Sequence, residues 1–359
     1  MAYSRWTPVA AIVFLAACGS DSTPSGPKVS SFLKGSNGNP QIGLVVNSTG
    51  QALTLFQLGD KTKTETVAFG GSSSITPVGF GLRGTTAIVP LGDAASTAVV
   101  NLNTATVSRF MLFPAGNATG QAFVDDSTVI VANETQNYIG RFTLTQSSDA
   151  ITDTVSVPAS PSDIETANGN AYVISATLDV NGLPTGFGVV TKLNGRTLAV
   201  LGSATMPDSN SSAAAFGPDG RLYVVNTGDF TYQSSLTVVD TATMSVLNTY
   251  HGFGIGAGAI AIDASGLAYI SSFFSGTVVW NTTTQAFVRP ASNALCVLAN
   301  SECLGAFGAA SDAAGDVYQT FFGSQTQAPY VYVFTHGTYA VSDSISVGVG
   351  PAQIRIATF

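Results

Sequence analysis

One pattern recurs through most of this 359-residue chain and restricts its fold more than any other feature. Asp219-Gly-Arg-Leu-Tyr-Val-Val-Asn226 aligns without a gap with Asp126-Ser-Thr-Val-Ile-Val-Ala-Asn133 and with Asn168-Gly-Asn-Ala-Tyr-Val-Ile-Ser175. Ser265-Gly-Leu-Ala-Tyr-Ile-Ser-Ser272 and Ala314-Gly-Asp-Val-Tyr-Gln-Thr-Phe321 follow the same pattern, and Arg83-Gly-Thr-Thr-Ala-Ile-Val-Pro90 is a weaker copy. The glycine-equivalent positions 84, 127, 169, 220, 266 and 315 are 42 to 51 residues apart. That period suits a propeller blade of four strands. In each unit a tight turn precedes a β-branched and aromatic run, which is a strand signal. A second run follows, such as residues 235–240. Then comes a polar turn, Asp240-Thr-Ala-Thr243, Asn103-Thr-Ala-Thr106 or Asn281-Thr-Thr-Thr284, because Asp and Asn bond the backbone two residues on. A third run at 246–250 and a run before the glycine turn at 259–262 complete the four strands. Such a meander cannot bury both of its faces alone, whereas repeats stacked around an axis can.

Six units fill residues 74–349, and the chain ends supply a seventh. Residues 350–359 read as an innermost strand with nothing after it, while 43–47, 51–56 and 64–69 read as three strands lacking an innermost partner. The expectation is an all-β, seven-bladed propeller of four-stranded antiparallel blades over residues 41–359. Pairing of the N-terminal strands with the C-terminal strand closes the ring. Tyr223-Val-Val-Asn226 followed by Val239-Asp-Thr-Ala-Thr243 resembles the YVTN repeat of seven-bladed propellers, a group similar to the NHL and lactonase-like propellers. The copy at 83–90 lacks the Tyr, and only positions 47, 133 and 226 carry the Asn. The resemblance implies architecture and leaves activity open, since one fold hosts many functions. Other propeller classes fit poorly. WD40 blades need repeated Trp-Asp, quinone-dependent dehydrogenases carry a Trp motif in every blade, and sialidase Asp boxes end in Thr-Trp. This chain has only Trp6 and Trp280.

The first residues read as an address. Arg5 precedes an apolar stretch at 9–17 that is too short to span a bilayer, which gives a signal peptide over residues 1–17. Leu15-Ala-Ala-Cys18 resembles the lipobox of bacterial lipoproteins. The resemblance implies acylation of Cys18 and a lipid anchor in the bacterial cell envelope. Gly19, where inner-membrane lipoproteins carry Asp, implies the outer membrane. Residues 18–40 are expected to form the lipidated cysteine and a flexible tether, since 19–27 offer no hydrophobe to pack. The two other cysteines, Cys296 and Cys303, are expected to form a local disulfide in an oxidising envelope, contributing about 2–3 kcal/mol by loop closure.

Composition narrows the function classes. Lys and Arg number 13 against 21 Asp and Glu, and only 9% of residues are charged. A sparse acidic surface cannot hold a phosphate backbone, which argues against nucleic acid. Two His and four Glu leave little for acid–base or metal chemistry. No Ser or Cys has a His and carboxylate neighbour set for nucleophilic catalysis, so no catalytic residue is assigned. His251 and His336 carry no assigned role, and His336 is expected in a solvent-facing hairpin turn. In propellers the loops joining blades and those after the second strand gather at one face around the axis. There the chain offers Gln121, Asp163, Glu165, Gln353 and Arg355. A lactonase- or lyase-like enzyme would use Asp163 and Glu165 on a central divalent cation, but two carboxylates make a thin ligand set, so no metal or cofactor is assigned. Asp229-Phe-Thr-Tyr232, Phe273-Phe274 and Phe321-Phe322 sit at nearly equivalent positions in three consecutive units. Phe230, Tyr232, Phe273, Phe274, Phe321 and Phe322 therefore form a candidate rim patch for sugar, peptide or protein. Asn133 and Asn226 read as turn caps. The overall expectation is a monomeric, lipid-anchored envelope module that binds or scaffolds without catalysis. Its partner is an envelope protein or carbohydrate, and it meets the membrane only through its lipid. The alternatives are the cation-dependent enzyme and an envelope assembly scaffold similar to the propeller lipoprotein of outer-membrane assembly.

Overall fold

The computed structural model describes residues 31–299, 302–323 and 328–359. The signal peptide at 1–17, Cys18 and the tether segment at 19–27 lie outside the described residues. Within them, seven four-stranded antiparallel sheets form a ring. Blade 1 joins Gln41–Asn47, Ala52–Gln57 and Asp60–Ala68 to the C-terminal strand Pro351–Thr358, which lies innermost. Val45 pairs with Ile354 and Leu44 with Arg355 across this seam. The other innermost strands are Gly81–Arg83 (blade 2), Ala118–Phe123 (blade 3), Pro161–Ala167 (blade 4), Ser211–Phe216 (blade 5), Ala257–Ile262 (blade 6) and Gly308–Ser311 (blade 7). Both the blade count and the closure agree with the sequence pattern.

The repeat has a direct physical cause. Second and third strands such as Thr128–Asn133, Leu222–Asn226 and Ala52–Gln57 are buried along their whole length. Each is covered by a neighbouring blade on both faces, so it reads as continuous apolar sequence. The core is accordingly divided among the blade interfaces. Val129 and Val131 pack with Ile88 and Phe113 of blade 2, while Ile130 and Ala132 pack with Ile164 and Val173 of blade 4. At the seam, Val45, Phe56 and Ile354 of blade 1 meet Tyr318, Val331 and Ile345 of blade 7. The turn between first and second strands needs a left-handed residue, which explains the recurring glycine: Gly220, Gly266 and Gly315 have φ of 75°, 86° and 86°.

Turns between third and fourth strands are closed by the expected side chains, with one shift. Asp240 accepts Ala242 N–H at 2.8 Å and Asn281 accepts Thr284 N–H at 2.8 Å. In blade 2 the cap is Asn101, on Asn103 N–H at 2.9 Å, and Asn103 instead reaches Thr85 Oγ1 at 2.8 Å. Packing also starts before the boundary expected at 41. Ser31–Lys34 form a short 3-10 turn, Leu33 is buried against blade 1, and Gln57 Nε2 donates to the Phe32 carbonyl at 2.8 Å.

Alternation of the strands sorts the loops into two faces. The upper face carries the loops after each second strand and those joining blades. The lower face carries the glycine turns and the turns between third and fourth strands, and Ser31–Lys34 sit beside it. Lower-face and side contacts tie blade to blade. Arg83 pairs with Asp126 at 2.7 Å, Arg196 with Asp125 at 3.0 Å and Lys61 with Asp343 at 3.0 Å.

Candidate functional site

The innermost strands enclose an axial channel. Its upper half is a cavity of about 310 Å³ lined by Gln121, Asp163, Glu165, Gln353 and Arg355, with Phe273, Phe307 and Phe322 at its mouth. The lower half, of about 630 Å³, is walled largely by small residues and backbone at 259–264 and 308–313. Glu165, Gln353 and Arg355 border both halves and so mark the waist. Although the lower half is larger, its carboxylates are already committed. Asp263 accepts the Tyr269 hydroxyl at 3.0 Å and Asp312 accepts that of Tyr318 at 3.2 Å. The functional groups free to meet a ligand lie at the waist and above it.

Asp163 stands on the innermost strand of blade 4 and ties it to blade 5. Its Oδ2 accepts Ala214 N–H at 2.9 Å and its Oδ1 accepts Ile164 N–H at 2.9 Å. Enclosure pushes its carboxyl up, while those two N–H donors and the nearby Arg355 charge pull the other way. Glu165, two residues on along the same strand, accepts no hydrogen bond from any described residue. Desolvation, then the Asp163 charge, push its carboxyl up to about 8, against the opposing pull of Arg355. Glu165 is therefore mostly protonated at neutral pH. Arg355 reaches the waist from the closing strand. Among the described residues it makes no ion pair or hydrogen bond, and its guanidinium stands 5.8 Å from the centre of the Phe80 ring. Gln353 accepts Phe80 N–H through Oε1 at 2.6 Å, which leaves its amide nitrogen to the cavity. Gln121 is 5% exposed and its amide has no partner among the described residues.

The mouth is a row of three rings from two blades and the loop joining them. Phe273 and Phe307 have centroids 4.9 Å apart, and Phe307 and Phe322 4.8 Å apart. A disulfide braces this row. Cys296 and Cys303 are bonded, with Cα atoms 5.6 Å apart, and close the loop that leads to Phe307. Beyond it, Ala306 N–H donates to the Ser272 carbonyl at 2.8 Å. Gly305 presses so closely on blade 6 that a Cβ there would lie 1.9 Å from the Phe273 carbonyl oxygen. Only glycine allows the loop to bring Phe307 between its neighbours.

The expected rim patch is thus divided. Phe273 and Phe322 join the mouth. Phe230 and Phe274 form a separate edge-on pair, 6.4 Å apart, farther out, and Tyr232 is 75% exposed. Phe321 is not on the rim: it is buried, its ring 6.4 Å from Tyr332, because the last residue of a second strand still faces the adjacent blade. Phe307 and Phe80 were not visible as site residues, since both lie in blade-joining loops that carry no period. Asn133 caps as expected, accepting Asn117 and Gln136 N–H at 3.3 Å each. Asn226 does not. It is fully buried within blade 5, donates to Ser235 at 3.0 Å and Thr237 at 2.9 Å, and accepts from Ser211 at 2.6 Å. Asn47 makes the equivalent bond to Thr54 at 2.8 Å, so the motif's Asn acts as a cross-strand tie. His336 is exposed in its hairpin turn. Among the described residues no three of His, Cys, Asp and Glu converge as a metal site.

No family model matches the chain. No curated protein matches it either. Solved structures do. A protein of Desulfotomaculum acetoxidans, described as functionally unknown, superposes with a TM-score of 0.66 at 13% identity, over 88% of this chain and 98% of that one. Hydrazine synthase of Kuenenia stuttgartiensis gives 0.61 at 12% identity, over 80% of this chain and 91% of that one. At such identities the likeness is one of fold alone.

Proposed function

We propose that this chain is a lipid-anchored binding module of a bacterial cell envelope, working without catalysis and taking a saccharide ring into the upper channel. One observation carries the reading: a row of three mutually tilted rings stands over a cavity whose wall offers, with no hydrogen-bond partner among the described residues, the amide of Gln121, the amide nitrogen of Gln353 and the guanidinium of Arg355. A ring with one apolar face and several hydroxyls matches aromatic stacking on one side and amide donors and acceptors on the other. The address rests on the Leu15-Ala-Ala-Cys18 segment. Radiolabelled palmitate incorporation that is lost in Cys18→Ser tests the anchor. Calorimetric titration with neutral oligosaccharides tests the site. Binding that is lost in Phe307→Ser and in Gln121→Ala supports the reading, and heat signals indifferent to both variants sink it.

A second reading draws on Glu165. A protonated carboxyl at the waist, pushed up to about 8 beside Asp163, has the property a general acid needs. It favours a lactonase- or lyase-like enzyme in which Glu165 donates a proton, in place of the cation ligation considered above, because a protonated carboxyl is a poor metal ligand. Turnover of lactones by the wild type, abolished in Glu165→Gln with ligand affinity retained, would favour this reading over simple binding.

A further inference from the structure

We infer that the outer rim of the upper face, over blades 4 to 6, docks a protein segment presenting Lys or Arg between apolar side chains. This surface lies outside the channel, and the inference does not depend on what the channel binds. The first observation is a row of exposed apolar side chains along the outer rim. Leu183 and Phe187, on the long loop and third strand of blade 4, are 62% and 58% exposed. Phe187 shares a surface recess with Asp229 of blade 5. The next residue, Phe230, stands edge-on to the exposed Phe274 of blade 6. Exposed apolar side chains grouped along one rim mark an interaction site more often than scattered single hydrophobes do.

The second observation is charge. None of the described Lys or Arg residues lies in an upper-face loop, whereas Asp93, Glu134, Asp179, Asp229 and Glu302 all do. Within the strip, Asp179 accepts Asn181 and Leu183 N–H at 2.8 and 2.9 Å, and Asp229 accepts Thr231 N–H at 2.9 Å. Those bonds hold both carboxyls below their ordinary range, so both carry charge at neutral pH. Neither meets a cation among the described residues. A partner segment carrying positive charge would complement them.

The third observation is direction. The described residues begin at Ser31–Lys34, beside the lower face. An N-terminal anchor would leave the strip on the side turned away from the membrane. An anionic lipid surface is also the wrong complement for a face with five carboxylates in its loops and no Lys or Arg.

The test is selection of a displayed random peptide library on the full chain, followed by affinity measurement of the enriched peptides. The expected consensus combines Lys or Arg with Leu, Phe or Trp. Leu183→Ser with Phe230→Ser should weaken binding about ten-fold or more, as truncated interface anchors do. Asp179→Asn with Asp229→Asn keeps the oxygens that form the turns, so it should fold normally, weaken binding and flatten its salt dependence. Phe307→Ser, at the channel mouth, should bind the peptides like wild type, which separates this surface from the channel site. Enrichment of acidic or uncharged peptides would overturn the proposal, as would cationic peptides indifferent to both double variants. Phosphatidylglycerol vesicles captured by the wild type and not by the Leu183→Ser/Phe230→Ser variant would overturn it too.

Discussion

The two faces of the ring are made by the same chain reversals, yet they differ in chemistry. Lower-face turns are short and repetitive: a left-handed glycine, an Asp or Asn cap, and Arg–Asp pairs linking neighbouring blades. Upper-face loops vary from one residue between blades 4 and 5 to eighteen between blades 6 and 7, and carry no Lys or Arg. What repeats is what the fold requires; what departs from repetition gathers where ligands meet propellers. The lower face pairs Arg83 and Arg196 with its own carboxylates, whereas among the described residues the upper face leaves Asp179 and Asp229 without a cation and holds Phe230 and Phe274 exposed.

The largest expected effect strikes both faces at once. Deleting residues 351–359 removes the innermost strand of blade 1, Arg355 and Gln353 together, and opens the seam. Thermal unfolding should lose its cooperative transition, and a sharp transition in the truncated chain would mean the ring does not depend on this closure. Next comes Asn226→Ala, which strips Ser211, Ser235 and Thr237 of a shared partner inside blade 5. A loss of about 2–4 kcal/mol is expected in urea denaturation, since buried polar groups without partners are costly.

Cys296→Ser with Cys303→Ser sharpens the contrast between the faces. Opening the loop should cost about 2–3 kcal/mol and should also weaken ligand binding in the channel, because the loop positions Phe307. If saccharide affinity is unchanged, the disulfide supports the fold and not the mouth. Glu165→Gln has a smaller effect with a defined sign. A carboxyl raised from its ordinary 4.5 to about 8 favours the folded state while protonated. Its contribution is therefore fully present below pH 4.5 and is lost as pH rises to about 8. The wild type should melt lower at pH 9 than at pH 5, with a flatter profile in Glu165→Gln; parallel profiles would place Glu165 in open water. Last, Arg196→Ala on the lower face removes an exposed pair with Asp125 and should cost no more than about 0.5–1 kcal/mol in urea denaturation. A larger loss would show that the lower face is more than a set of satisfied turns.

Much of the fold was legible because a blade is a local object. The glycine turn, the apolar run behind it and the Asp or Asn cap lie within one stretch of chain, and both faces of the middle strands are buried, so the signal is strong in each copy. Even the split blade was readable, from a C-terminal strand with no successor and N-terminal strands with no innermost partner. The channel residues Gln121, Asp163, Glu165, Gln353 and Arg355 were legible for the same reason: each sits on an innermost strand whose place in the ring follows from the repeat. The aromatic rim was legible only in part. The period put Phe273, Phe274, Phe321 and Phe322 at similar heights, but it carries no information about which way a ring turns at a strand end. Phe321 turned into the blade interface, and Phe307 arrived from a loop with no period.

The sequence by itself determined seven blades, their closure and the residues of the innermost strands, because β-branched periodicity and turn chemistry act over a few residues. Only the tertiary structure decided that Asp163 would be held by the Ala214 N–H of the next blade, that Glu165 would be left protonated beside it, and that Arg355 would face the waist without a salt bridge. Those properties depend on distances between strands far apart in sequence and on the gathering of charged groups around one shared channel, which no single stretch of chain encodes.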